Sequence, residues 1–174
     1  MIIQYQTHKP RIAEGAWIAD NAVIIGQVEI GEDSSIWFST VIRGDVNYIR
    51  IGARTNIQDL SLIHVTHADL AAGHEGYPAI IGDDVTIGHH TVLHGCRVGK
   101  ACLIGNGSVL LDGCEIGDES LIGAGSLVTK NMKFPPRSLI LGRPAQVVRM
   151  LREDEILGNY ESAQRYLKYK LNYK

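Results

Sequence analysis

The chain lacks the features that mark secreted, membrane-bound or nucleic-acid-binding proteins. Its N-terminal residues, Met1–Gln4, contain no positive charge followed by an apolar run, so no signal peptide is expected. No stretch approaches the roughly 18 apolar residues of a membrane span. The net charge is −2 and Lys and Arg are scattered, whereas a nucleic-acid-binding protein usually carries a basic patch. We therefore expect a cytoplasmic, single-domain protein without nucleic-acid or membrane partners.

Cysteine is scarce, and the three cysteines form no CxxC pair. Cys96, Cys102 and Cys114 are separated by intervals of 6 and 12 residues. Free cysteine is often fully buried, so we interpret the three as small core residues. Metal binding or redox chemistry is the alternative.

Aliphatic residues, in contrast, recur at intervals of six. Isoleucine occupies positions 12, 18, 24, 30, 36 and 42, and further series start at positions 51, 81 and 98. Glycine often follows directly, as in Ile30-Gly31 and Ile104-Gly105. A period of six fits neither an amphipathic helix nor an alternating strand, but it fits a short strand followed by a tight turn. Three such hexads per coil predict a triangular prism, a parallel β-helix with a continuous aliphatic core.

The repeat is interrupted in three places and then ends. The intervals 42–51, 63–81 and 87–98 depart from multiples of six, and the second accommodates a twelve-residue loop within residues 65–78. Breaks in a regular pattern are expected near functional sites. We assign residues 1–149 to the prism, whose repeat ends near residues 141–144, and residues 150–174 to a C-terminal helix packed on it. The helix is predicted from helical spacing of Ile156, Tyr160, Ala163 and Leu167.

Three histidines have the spacing of a metal site. With the twelve-residue loop set aside, His64 and His94 are one 18-residue coil apart, and each follows an aliphatic residue. They should stack about 4.8 Å apart on one face and could share a metal ion. His89 lies around a corner, five residues before His94. The intervening segment, fully extended, could reach up to about 16 Å, which separates His89 from the metal of its own chain. It is therefore better placed to reach the metal of a neighbouring subunit in a closed three-fold ring. The alternative is that these histidines are turn or surface residues.

Four short segments resemble the γ-class carbonic anhydrases and their bacterial and archaeal relatives, over nearly the whole chain. They are Val41-Ile42-Arg43-Gly44-Asp45, Asn56-Ile57-Gln58-Asp59 with His64, Ile87-Gly88-His89 and Leu93-His94-Gly95-Cys96. The resemblance implies a left-handed β-helix and a homotrimer. It also implies that His64 and His94 of one subunit bind the metal together with His89 of the next.

The same resemblance implies roles for five further residues. Arg43 and Asp59 would form an ion pair near the subunit interface, with Asp45 in the same network. Gln58 would hydrogen-bond the metal-bound water, and Tyr160 of the C-terminal helix would reach the metal pocket. A purely structural salt bridge that holds the trimer is the alternative for the three charged residues.

The function that this resemblance implies is reversible hydration of carbon dioxide to bicarbonate. Zinc is the expected metal, although imidazole ligands also suit iron or cobalt. Two features depart from the best-studied members: Val46 replaces a Glu, and the loop carries only Asp69 and Glu75, with His67 near the place of a proton-shuttling Glu. Thioester hydrolysis or acyl transfer, and a non-catalytic metal-binding trimeric scaffold, are the alternatives.

Overall fold

The computed structural model describes residues 1–173, which form a parallel β-helix followed by one α-helix. The predicted fold is thus confirmed. The strands are β1 (Ile2–Ile3), β2 (Arg11–Ile12), β3 (Trp17–Ile18), β4 (Val23–Ile30), β5 (Ser35–Ile36), β6 (Val41–Ile51), β7 (Asn56–Ile57), β8 (Leu62–His64), β9 (Ala79–Ile81), β10 (Thr86–Ile87), β11 (Val92–His94), β12 (Arg97–Val98), β13 (Leu103–Ile104), β14 (Val109–Leu110), β15 (Glu115–Ile116), β16 (Leu121–Ile122), β17 (Leu127–Val128), β18 (Lys133–Phe134), β19 (Ser138–Gly142) and β20 (Ala145–Met150).

The strands stack coil upon coil into three faces. Face 1 consists of β1, the first halves of β4 and β6, and then β8, β11, β14 and β17. Face 2 consists of β2, the second halves of β4 and β6, and then β9, β12, β15 and β18. Face 3 consists of β3, β5, β7, β10, β13, β16 and β19. Because β4 and β6 continue around the corner between faces 1 and 2, these two faces form one sheet.

The core is the aliphatic column that the period of six predicts. Ile24 pairs with Ile42 and Ile104 pairs with Ile122, so in the regular coils residues 18 apart lie one above another. All four side chains have no solvent exposure. The three cysteines are free and equally buried, which confirms their interpretation as core residues.

The last coil ends in a hairpin that the repeat did not indicate. The strand β20 returns antiparallel to β19, through the cis peptide bond between Arg143 and Pro144. It adds an edge strand to face 3, where the sequence pattern predicted only the end of the prism.

The C-terminal helix α1 spans Glu153–Tyr169 and is followed by a 3₁₀ turn, Lys170–Asn172. Its start is fixed by Glu155, which accepts a hydrogen bond from the backbone N–H of Arg152 (2.9 Å). The hydrogen bond from Arg149 lowers the pKa of Glu155 to about 2. Acidic residues in the first turn also complement the helix dipole. No helix within residues 1–173 has the length and apolar character required to cross a membrane.

The helix packs on face 3 through a narrower stripe than its pattern predicts. Ile156 and Ala163 are buried as expected, but the remaining buried side chains of the helix are polar, Asn159 and Ser162. Asn159 Nδ2 donates to the backbone carbonyls of Ala101 (3.1 Å) and Ser120 (3.3 Å). The helix therefore docks partly through buried hydrogen bonds to backbone carbonyls of the prism.

The end of the helix is attached to the first coils by a buried lysine. The Nζ of Lys170 donates to the carbonyl of Gly15 (2.7 Å) and to the carbonyl and carboxylate of Asp33 (2.9 Å each). The helix thus runs along face 3 from the last coil to the first.

Candidate metal centre

His64 and His94 lie side by side on face 1, at the ends of β8 and β11, and their Cα atoms are paired in register. The residues before them, Ile63 and Leu93, point into the core with no solvent exposure, so strand alternation directs both imidazoles outward. The ring centroids are 5.0 Å apart, and His64 Nδ1 lies 3.1 Å from His94 Nε2. The structure thus brings these two predicted ligands together.

A carboxylate lies against the outer nitrogen of each ring. His64 Nε2 is 3.1 Å from Asp45 Oδ1, and His94 Nδ1 is 2.7 Å from Asp112 Oδ1. Because an ionised carboxylate can only accept hydrogen bonds, each neutral ring carries its proton on the outer nitrogen. The two inner nitrogens then face each other with unshared electron pairs, an arrangement that a cation between them would stabilise.

This arrangement fits a zinc ion. Two nitrogens that bind one tetrahedral zinc at about 2.0–2.1 Å lie about 3.3 Å apart, close to the observed 3.1 Å between the inner nitrogens. Metal-binding histidines also commonly donate their second N–H to a carboxylate. The donor set and its surroundings therefore suit a metal.

The local electrostatics favour the protonation states that metal binding requires. Burial lowers the pKa of His64 and outweighs the opposing hydrogen bond to Asp45, so the ring is neutral at neutral pH. Burial alone would raise the pKa of Asp45, but hydrogen bonds from Arg43 and His64 hold it below its usual value. Asp45 is therefore ionised and available as the acceptor for His64.

All three breaks in the repeat lie at one corner of the prism, between faces 1 and 2. The extra residues of β6 follow Gly44, the twelve-residue loop follows His64, and the shortened turn follows His94. The loop forms a small hairpin in which Thr66 pairs with Tyr77. The irregular segments therefore surround the two stacked histidines.

His89 lies at the opposite edge of face 1, where face 3 turns into it. Its Nδ1 is 2.8 Å from Asp59 Oδ2, its side chain is 43% exposed, and its backbone N–H donates to Asn106 (3.1 Å). The next residue, His90, adopts a left-handed backbone conformation (φ +56°). Within residues 1–173, no three His, Cys, Asp or Glu side chains are close enough to hold a metal ion. One chain thus provides a two-histidine half-site and a separate third histidine.

The other predicted site residues are only partly assembled within the chain. Arg43 forms an ion pair with Asp45 (2.5 Å), whereas Asp59 contacts His89. No ion pair joins Arg43 to Asp59 within residues 1–173, so the predicted pair is not formed inside one chain. Gln58 is buried rather than solvated, and its Nε2 donates to Asn56 Oδ1 (3.1 Å).

Tyr160 lies away from the histidines within its own chain. Its hydroxyl donates to Glu119 (3.0 Å), which also forms an ion pair with Arg137 (2.8 Å). The helix tyrosine beside His89 is instead Tyr166. It belongs to what we call the aromatic groove, a cavity of about 540 Å³ lined by His89, Asp59, Trp37, Phe38, Tyr166, Tyr169, Asn172 and Tyr173.

Comparison with known proteins identifies the family. The model of the bacterial transferase hexapeptide (six repeats) matches residues 9–44 and 95–130. The chain is 52% identical to a protein named Probable carbonic anhydrase from Methanocaldococcus jannaschii, over 90% of this chain and 94% of that protein. It is 44% identical to gamma carbonic anhydrase 1, mitochondrial, of Arabidopsis thaliana, over 90% of this chain and 56% of that protein. The chain belongs to the γ-class carbonic anhydrase-like family.

A solved structure supports the same fold and adds a second functional name. The hexapeptide transferase family protein from Anaplasma phagocytophilum is 38% identical and superposes with a TM-score of 0.91, over 99% of this chain and 98% of that chain. Relatives of this γ-class-like chain are therefore named both as carbonic anhydrases and as transferases.

Sequence reasoning missed Asp112, Thr66 and the aromatic residues around His89. Asp112 follows His94 by 18 residues, so an 18-residue search from His94 itself would have found it. Because this coil is one residue short, Asp112 lies one coil beyond Gly95 rather than His94. The groove depends on the docking of the helix against Trp37, whose ring centroid is 5.2 Å from that of Tyr166. No local pattern in the sequence encodes that contact.

Proposed function

We propose that the chain forms a homotrimer that catalyses the reversible hydration of carbon dioxide to bicarbonate. A metal ion, zinc in this proposal with iron or cobalt as the alternatives, would be held at each interface by His64 and His94 of one subunit and His89 of the next. The observation that carries this proposal is the pair of imidazole nitrogens 3.1 Å apart, each ring backed by a carboxylate.

The exterior of face 1 supports the trimer. One outward column of face 1 is apolar throughout, and it lies beside the outward-facing Arg43, His64 and His94; its members are Val23, Val41, Leu62, Val92, Val109 and Leu127. Leu62 is 37% exposed, and neighbouring Leu60 at the His89 edge is 51% exposed. A continuous apolar strip on a folded chain usually marks an interaction site. Hexapeptide-repeat β-helix proteins are commonly trimeric, and a second copy on face 1 would bring its His89 edge toward this half-site.

The residues of the proposed shared site, which combines the half-site of one subunit with the His89 edge of the next, have distinct tasks. A bound zinc ion supplies a Lewis acid and lowers the pKa of a coordinated water to about 7. Gln58, whose amide nitrogen is already engaged by Asn56, would use its carbonyl oxygen to orient the reacting water. Arg43 would complete its ion pair with Asp59 across the interface and attract the bicarbonate anion. Asp45 keeps the His64 ring oriented.

A second candidate, hydrolysis or transfer of an acyl group, is favoured by the aromatic groove. Its volume of about 540 Å³ is in the range of cavities that bind drug-sized molecules and exceeds what carbon dioxide requires. Transferase names among the relatives point the same way. Both substrates should therefore be assayed.

The test is metal analysis of the purified protein, with hydration and thioester assays, on wild type, His89→Ala and His90→Ala. Each proposed site uses three histidine ligands, and each chain supplies three histidine ligands, so we expect one metal ion per chain. We expect His89→Ala to lose metal and to weaken trimer formation, while His90→Ala keeps both, because His90 adjoins the same corner without being a ligand. Full metal content in His89→Ala would rule out the shared site. A loaded wild type without turnover of either substrate would indicate a scaffold.

A further inference from the structure

Several corners of the prism are held by a repeated hydrogen bond. The side-chain oxygen of an Asp or Asn in one coil accepts a hydrogen bond from a backbone N–H of the preceding coil. That oxygen lies directly below a glycine of the preceding coil. The three examples are Asp83 with Ala53 N (2.8 Å), Asp118 with Lys100 N (3.0 Å) and Asn106 with His89 N (3.1 Å). A Cβ on the overlying glycine would lie 2.2–2.4 Å from the accepting oxygen. These side chains are structural caps of the corner.

Asp112 occupies the same position but has different partners. It lies below Gly95, where a Cβ would come within 2.5 Å of its Oδ1. That oxygen accepts hydrogen bonds from His94 Nδ1 (2.7 Å) and Thr66 Oγ1 (3.0 Å). Within residues 1–173, no backbone N–H donates to this carboxylate. The hydrogen bond that caps the other corners is therefore absent here, and the carboxylate of Asp112 contacts His94, a candidate metal ligand, instead.

The long loop holds Asp112 in place. Thr66 stands at the root of the loop, and its backbone pairs with Tyr77 on the returning strand. Asn47, in the extra segment of β6, donates from its Nδ2 to the carbonyl of Thr66 (3.0 Å). Two irregular segments of the corner thus hold the backbone of Thr66, whose hydroxyl donates to Asp112.

We infer that Asp112, held by Thr66, is the positioning residue that fixes His94 with its Nε2 electron pair toward His64. The inference deepens the proposed function, because it concerns the affinity of the same site for its metal. Without this acceptor, the proton of His94 can move to Nε2 and block coordination. Loss of such a supporting carboxylate typically lowers metal affinity 10–100-fold.

The test compares Asp112→Ala, Asp112→Asn and Thr66→Val with Asp118→Asn as the matched control. Asp118 has the same corner position and lies away from the histidines. Zinc affinity is measured by competition with a chromogenic chelator, and the tautomer of His94 is read from ring ¹⁵N shifts in the metal-free protein. Trimer mass and thermal stability confirm folding of each variant.

We expect Asp112→Ala to lower zinc affinity about 10–100-fold and to populate the tautomer protonated at Nε2. Asp112→Asn keeps an acceptor and should recover much of the affinity, and Thr66→Val should lose about fivefold. Asp118→Asn should match wild type. An unchanged His94 tautomer in folded Asp112→Ala would overturn the inference. If wild type binds no zinc, the proposed function fails, but the tautomer of the metal-free protein still decides the role of Asp112.

Discussion

Faces 1 and 2 of the prism share a backbone and a core but differ on the outside. Both direct apolar side chains into the common core, most of them aliphatic and fully buried. Outward, face 1 presents an apolar column of Val and Leu with Arg43, His64 and His94 beside it. Face 2 presents a largely charged column, Arg11, Glu29, Arg50, Ile80, Arg97, Glu115 and Lys133. Several of these charges pair along the column, including Glu29 with Arg50 (2.7 Å) and Glu115 with Lys133 (2.8 Å).

The difference assigns the two faces separate roles. Exposed ion pairs contribute little to stability, but they keep face 2 hydrated and complete without a partner. Face 1 exposes an apolar strip next to the paired imidazole rings of His64 and His94, and the chain, as far as residue 173, does not cover this strip with its own helix. The outward residue of each hexad, rather than the repeat itself, therefore distinguishes the two faces, and the proposed assembly and metal site both depend on it.

The largest effect is expected when one apolar outward residue of face 1 is replaced by a charged one. Leu62→Glu places a carboxylate at the centre of the apolar strip, where association would bury it without a partner at a large cost. We expect the species of about three times 19.1 kDa to dissociate to single chains, as measured by sedimentation or light scattering, with loss of bound metal.

Ile80→Glu on face 2 is the matched control. Ile80 is stacked between Arg50 and Arg97, so a carboxylate there gains two cationic neighbours and should leave the mass unchanged. If Ile80→Glu dissociates the assembly and Leu62→Glu does not, face 2 is the interface and the proposed shared site is wrong.

Much of this contrast could be read from the sequence, because the repeat fixes which residues point inward. The period of six predicted the prism, and the 18-residue spacing predicted the stacking of His64 and His94. The three breaks in phase were also visible, but their convergence on one corner depends on how many residues each turn absorbs. Contacts between distant segments, such as Thr66 with Asp112 (3.0 Å), follow from loop packing, which no local pattern specifies.

Face 3 differs from both other faces because the C-terminal helix of the same chain covers it. Asn159 is 1% exposed and satisfies two backbone carbonyls of the prism. Asn159→Ala leaves the carbonyl of Ala101 without a donor, whereas the carbonyl of Ser120 keeps the backbone N–H of Leu103 (3.0 Å). We therefore expect the free energy of unfolding to fall by roughly 1–3 kcal/mol. Denaturant unfolding measures this change. Glu161→Ala, on the exposed side of the same helix, should have little effect. Equal losses in the two variants would mean that the helix is held by other contacts.

The smallest expected effect concerns Tyr160, which the sequence placed at the metal site and the structure places against Glu119. Hydrogen bonds from Tyr160 and Arg137 hold the pKa of Glu119 below its ordinary value of 4.5. A lowered carboxyl pKa stabilises the folded state above pH 4.5, and that contribution disappears as the pH falls through the lowered pKa. Tyr160→Phe should therefore cost about 0.5–1.5 kcal/mol of unfolding free energy at pH 7 and progressively less below pH 4.5.

Unfolding measured across pH distinguishes the structural role of Tyr160 from the catalytic one. Tyr169→Phe, at an exposed position of the same helix, is the control and should match wild type at every pH. We expect Tyr160→Phe to retain its metal and its turnover, because the hydroxyl is engaged by Glu119 at the far end of face 3. A variant of unchanged stability that has lost turnover would instead place Tyr160 at the site of a neighbouring subunit, and the helix covering face 3 would then contribute to the chemistry of face 1.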